Sequence, residues 1–185
     1  MSQRPWNGWC GRRALGRLLL VVVACVVWAA LGRAPVALAA GFVVNSLTND
    51  QDAAPGNGVC ATAGAVCSLR AAVMEANALP GADTVTVPAG LIDLSAGGNG
   101  AAGEDGALTG DLDLNSSMTI QGAGVSATFV GRVSDRVIHV RNGAQVTLRD
   151  LTICEGFAPG TGRLGGGILI EAGAHATLIN VVVGR

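Results

Sequence analysis

Apolar and polar positions divide this chain into three stretches. Leu18 to Leu31 is an unbroken apolar run, preceded by Arg4, Arg12, Arg13 and Arg17 and followed by the small-residue triplet Ala37-Leu38-Ala39. Positive, then apolar, then small is the order of a secretory signal. The run is short for a membrane span. Residues 1–39 are therefore expected to leave as a signal peptide, and the processed chain to begin near Ala40. An uncleaved N-terminal anchor is the competing reading.

The second stretch, residues 40–94, mixes strand and helix signals. Phe42 to Ser46 predicts a first strand, and residues 49–58 a polar loop. Ser68 is a helix N-cap residue. Leu69, Ala72, Val73 and Ala76 follow it at helical spacing, which predicts a helix over 69–78 with one apolar stripe. Pro80-Gly81 stops it. Thr84–Val87 alternates and reads as a strand, and Leu91–Leu94 as another.

The third stretch, residues 95–185, opens with a Gly-, Ala- and acid-rich surface loop to residue 107 and then repeats itself. Val140–Ile153 and Ile170–Val183 align at a constant offset of thirty: Gly143 with Gly173, Leu148 with Leu178, Asp150 with Asn180, Ile153 with Val183. Leu112–Leu114 and Met118–Gly122 form a looser earlier copy. Repeats of this length signal stacked supersecondary units, because a short strand pair cannot bury its apolar face alone. The expected fold is all-β: a right-handed parallel β-helix (a solenoid), with Leu148 over Leu178 and Ile153 over Val183. The pattern runs out at Val181–Arg185, directly after a predicted strand, so the solenoid is expected to be truncated at its C-terminal end.

Charge and composition narrow the function. Five of the twelve basic residues (Arg4, Arg12, Arg13, Arg17, Arg33) lie before residue 40 and all thirteen acids lie after it. The processed chain keeps seven basic against thirteen acidic residues, a net charge of −6. A mildly acidic chain without a basic patch argues against a nucleic-acid partner. Lysine and tyrosine are absent, and all three Trp lie in the signal, so aromatic sugar platforms are lacking. Cys10 and Cys25 leave with the signal. Cys60 and Cys67 can close a small loop as a disulfide in an oxidising compartment. Zinc ligation is disfavoured, because no second Cys or His pair stands nearby. Cys154 is expected reduced and packed inside.

The segment Cys67-Ser68-Leu69-Arg70-Ala-Ala-Val-Met-Glu75-Ala-Asn77, with Leu79-Pro-Gly-Ala-Asp-Thr-Val-Thr-Val-Pro-Ala-Gly90 after it, resembles the CSLREA-type N-terminal domain of exported bacterial proteins that carry right-handed parallel β-helix repeats. The acid usual after the motif's arginine is Ala71 here. The resemblance implies a short helical cap over the N-terminal end of a solenoid, with Cys67, Ser68, Leu69, Arg70, Glu75 and Asn77 as its motif residues. On this reading residues 40–94 are the cap and first strands, and 95–185 the rungs. Gly166-Gly167-Ile168 also resembles a step of polymorphic outer-membrane protein repeats, without their Phe-x-x-Asn companion.

Candidate chemistry is sparse. Asp111, Asp113 and Asn115, near Glu104-Asp105, have the spacing that opens a calcium loop, but Ser116 and Gly122 stand where its Gly and bidentate Glu belong. Alternating with Leu112 and Leu114, the two aspartates are expected on a solvated strand face. Asp135, Arg136, His139 and Asp150, with Arg141 and Arg149, are the groups a polysaccharide lyase or hydrolase could use. No cofactor is expected. The sequence thus points to an exported protein, secreted or at the cell surface, with a structural or adhesive role and no catalysis in this segment. Its expected partners are a cell-surface polysaccharide or a host or neighbouring surface. It would meet a membrane only through its signal or a downstream anchor, and self-association through an open solenoid end is a further expectation. The alternative is the N-terminal part of a polysaccharide-active enzyme whose catalytic rungs lie beyond residue 185.

Overall fold

The structure is a computed structural model that describes residues 38–96, 104–157 and 165–184. Residues 1–37 of the signal segment lie outside these residues. The strands are β1 (Gly41–Val43), β2 (Asp83–Thr86), β3 (Gly90–Asp93), β4 (Leu112–Leu114), β5 (Met118–Gln121), β6 (Thr128–Val133), β7 (Ile138–Val140), β8 (Gln145–Gly156), β9 (Ile168–Ile170) and β10 (His175–Gly184), with one helix, α1 (Leu69–Ala78). Among the described residues no helix is long and apolar enough to cross a membrane.

Helix α1 has the predicted bounds because its start and stop are local signals. The Ser68 side chain accepts a hydrogen bond from the Ala71 N–H at 3.0 Å, and extended backbone at Leu79 before Pro80 ends the helix. The loop before it is tied down by chemistry of its own. Cys60 and Cys67 form a disulfide, with Cα atoms 5.2 Å apart. Asp52 accepts from the Ala54 and Ala61 N–H groups. Gly56 and Gly58 take positive φ, 92° and 84°, which turns both of their N–H groups onto the Glu75 carboxylate of α1.

Two parallel sheets carry the rest. One has the order β1-β2-β5-β8-β6-β3, with β10 also on β8; the other is β4-β7-β9. The long strand β8 makes the first sheet curl. Its first half, Val146 to Arg149, pairs with β5, and its second half, Thr152 to Gly156, with β6. Between the halves Asp150 takes a left-handed φ of 55° and drops out of the ladder; Asn180 does the same in β10 at 51°. Asp and Asn tolerate this conformation better than other side chains. Gly131 sits so close to β8 that a Cβ there would overlap the Cys154 carbonyl.

The thirty-residue repeat shows directly in the register: Leu178 pairs with Leu148 and Val183 with Ile153. The expected fold class does not hold. The chain is not all-β, nor a right-handed parallel β-helix solenoid with a helical cap. It is a mixed α/β fold, with parallel strands in a curled half-barrel sheet and one helix built into the core. Residues Leu69 to Ala76 are all buried, Arg70 and Glu75 included, so α1 has no solvated face opposite the expected stripe. The periodicity defines strand register accurately. It carries no information on how strand halves join, or on loops that bury the polar side of a helix.

Candidate functional site

The densest group of charged side chains lies on the small sheet. In the parallel register Asp113 of β4 faces His139 of β7, with Leu169 of β9 next in the column. Leu112, Leu114, Ile138 and Val140 pack into the core, so by strand alternation Asp113 and His139 point to the opposite face. The sequence reading makes that face solvated, and this is corrected: Asp111 and Asp113 are 1% and 0% exposed. The segment 104–111 covers them. The Ala107 N–H donates to Asp113 Oδ2 at 3.1 Å, and the Glu104 carboxylate accepts from Gly106 and Thr109, both at 2.8 Å, holding the segment's turn.

From the other side α1 clamps the same segment. Arg70 donates through Nη1 to the carbonyls of Ala107 (2.8 Å) and Asp111 (3.2 Å), through Nη2 to Gly110 (2.7 Å) and through Nε to Asn49 Oδ1 (2.8 Å). Burial lowers its pKa to about 10, opposed by the charges of Glu104, Asp111 and Asp113, so it stays a cation at neutral pH. Asn77 donates to the Asp113 carbonyl and accepts from the Asn115 N–H. The motif residues Cys67, Ser68, Leu69, Arg70, Glu75 and Asn77 thus serve as a staple, a cap, core packing and clamps on the two flanking loops.

Around Asp113 the charges interlock. Arg136 Nε lies 3.1 Å from Asp111 Oδ2, and its Nη2 3.9 Å from Asp135 Oδ1. His139 Nδ1 is 3.0 Å from Asp113 Oδ1, and its Nε2 3.1 Å from Glu171 Oε1; neither contact is aligned as a hydrogen bond. Arg141 bridges Asp105 (2.6 Å) and Glu171 (3.1 Å) and stands 3.9 Å from Asp113 Oδ1. Burial, then the neighbouring charge of Asp135, raises Asp111 to about 6. Burial, then Asp111, raises Asp113 to about 7. Burial, then Arg136 and Arg141, pushes His139 below its ordinary value, so the imidazole is neutral near pH 7.

Asp105, Asp113 and His139 each bring one ligand atom within 4.8 Å of the others, a donor set that suits a divalent ion. The guanidinium of Arg141, in contact with Asp105 and near Asp113 Oδ1, already supplies positive charge there. The calcium candidates Asp111, Asp113 and Asn115 do not form one donor set, because Asn115 has its Nδ2 on the Asp105 carbonyl and its Oδ1 accepting from Asn142. Of the four catalytic candidates, Asp135, Arg136 and His139 come together beside Asp111 and Asp113. Asp150 does not; it accepts from Gln121, Arg149 and Asn180 on the large sheet. Glu171 is the member that sequence reasoning missed. Its signal was present in the repeat, where an offset of thirty puts it opposite Arg141. Cys154 is a free thiol, half-buried, raised in pKa by burial and then by Glu155.

No family model, no curated protein and no solved structure matches the chain.

Proposed function

We propose that this chain is an exported structural module, secreted or held at the cell surface, that works by adhesion rather than by chemistry. The observation that carries the reading is the sealed state of its charged cluster. Asp111, Asp113 and Asp135 are all but inaccessible, and Asp113 lies under a segment that Arg70 pins from beneath. A substrate would have to lift that segment to reach Asp113, whereas a structural clasp needs it where it is. The CSLREA-type resemblance of Cys67–Asn77 and the signal-like first 39 residues support export, and the Cys60–Cys67 disulfide is compatible with it.

Contact is proposed to run through β10, which carries Leu178, Ile179, Val182 and Val183 in exposed positions and, among the described residues, pairs with β8 alone. An open strand edge with exposed aliphatic groups is a template for another strand. The proposed partner is a second copy of this chain, meeting β10 edge to edge. Expression behind its own first 39 residues, followed by fractionation, tests the reading: oxidised chain outside the cytoplasm supports it, and reduced chain retained inside contradicts it.

A second reading, a polysaccharide-active enzyme, is favoured by the convergence of Asp111, Asp113 and Asp135 on Arg136 and His139. Cleavage of an acidic or neutral polysaccharide by the full chain, abolished in Asp113→Asn, would displace the structural reading.

A further inference from the structure

Asp83 opens β2 and is fully buried, yet among the described residues it has no Arg or His within ion-pair distance. Its Oδ1 accepts one hydrogen bond, from the Ala40 backbone nitrogen at 2.7 Å, and its Oδ2 is buried with no partner. A buried carboxylate with half of its acceptor capacity empty is costly and calls for a missing donor or cation.

The single nitrogen that meets this carboxylate belongs to the residue the sequence marks as the start of the processed chain. Exposure changes at the same place: Leu38 is 80% exposed and Ala39 exposed, whereas Ala40 is partly buried against the core. Ala40 is held by the sheet, while the Leu38–Ala39 backbone before it lies against Gly81. The Ala40 carbonyl accepts from the Thr84 N–H at 2.9 Å, and the ladder continues as Gly41 with Thr84 and Phe42 with Val85. These ladder contacts of residues 40–42 do not depend on the residues that precede them.

We propose that Asp83 is a built-in receptor for the α-ammonium group created by cleavage between Ala39 and Ala40, so that removal of the leader completes the fold with a buried ion pair. Hydrolysis breaks the Ala39–Ala40 C–N bond. Water leaves its oxygen on the Ala39 carboxylate, and the freed Ala40 amine becomes an ammonium. One amide donor is replaced by three N–H donors and a positive charge, enough to serve both oxygens of Asp83. In the precursor the carboxylate stays half-satisfied. The inference rests on the export reading above and adds a specific consequence of processing.

Residues 40–185 contain no lysine, so among them the α-amino group is the one primary amine after processing. Full chain is exported behind its own leader, purified, N-terminally sequenced, and treated with an amine-specific acylating reagent near neutral pH, folded and in denaturant. With Ala40 as N-terminus, the expected result is acylation about tenfold or more slower in the folded chain, the effect of raising an amine pKa by about one unit, with the rate recovering in Asp83→Asn. Equal rates in folded and denatured wild-type protein would overturn the proposal, and that comparison needs no variant to fold. An N-terminus other than Ala40 overturns the processing site itself, and this proposal with it.

Discussion

Arg70 directs its guanidinium at three backbone carbonyls and one side-chain amide, all buried, and none of its hydrogen bonds goes to a carboxylate. Its work is to hold residues 107–111 against α1. Arg70→Met leaves those acceptors unpaired and removes one positive charge from beside Glu104, Asp111 and Asp113. The expected cost is about 3 kcal/mol, the penalty for leaving buried acceptors unpaired, read by chemical denaturation; a loss below about 1 kcal/mol would show that the segment is held by other contacts. Arg70→Lys should recover little, because an ammonium cannot reproduce the planar fork. Asp111 and Asp113 give a pH dependence of defined sign. Their folded pKa values, about 6 and about 7, lie above the unfolded carboxylate value, so the folded state binds more protons. Stability should therefore fall as pH rises from about 4 to about 7 and level off above. Asp113→Asn should flatten that slope. A wild-type stability that climbs over the same interval would contradict the raised values. The burial behind them was not legible beforehand: alternation with Leu112 and Leu114 places Asp113 opposite the core, and only the preceding loop, folded back over β4, makes that face interior.

Helix α1 and its preceding loop act as one element. Ser68, the helical spacing and Pro80 are local signals, so the helix was legible to the residue. The role of Glu75 was not, because its partners are the backbone N–H groups of Gly56 and Gly58, presented by a loop conformation with no periodicity to read. The disulfide closes a short loop, and the chain-entropy argument gives it about 2–3 kcal/mol. Cys60→Ser with Cys67→Ser should lower stability by that amount, as reductant should for the wild type. A reduced protein as stable as the oxidised one would assign the loop's order to Asp52 and Glu75 instead. At the strand level, the repeat predicted the pairing of β8 with β10 and, unnoticed, the match of Arg141 with Glu171. It did not predict that β8 would turn at Asp150 and share its two halves between β5 and β6.

At the scale of the whole molecule, those shared halves separate a curled half-barrel sheet from a simple stack, and the buried helix makes the fold α/β. Among the described residues β10 is one open strand edge of the large sheet. If it is the contact surface, the full chain should self-associate with rising concentration in sedimentation, and Leu178→Lys with Val182→Lys should shift it toward monomer while leaving its melting temperature within a few degrees. A monomer at every concentration would remove β10 from the account.

The central claim is that the chain is exported, processed and oxidised, and folds around the products of both events. It is tested most directly by the intact mass and N-terminal sequence of material recovered outside the cytoplasm after expression behind residues 1–39. The account predicts a chain that begins at Ala40 and has the mass expected for one disulfide, between Cys60 and Cys67. A chain that keeps its first 39 residues and has both thiols free would contradict it.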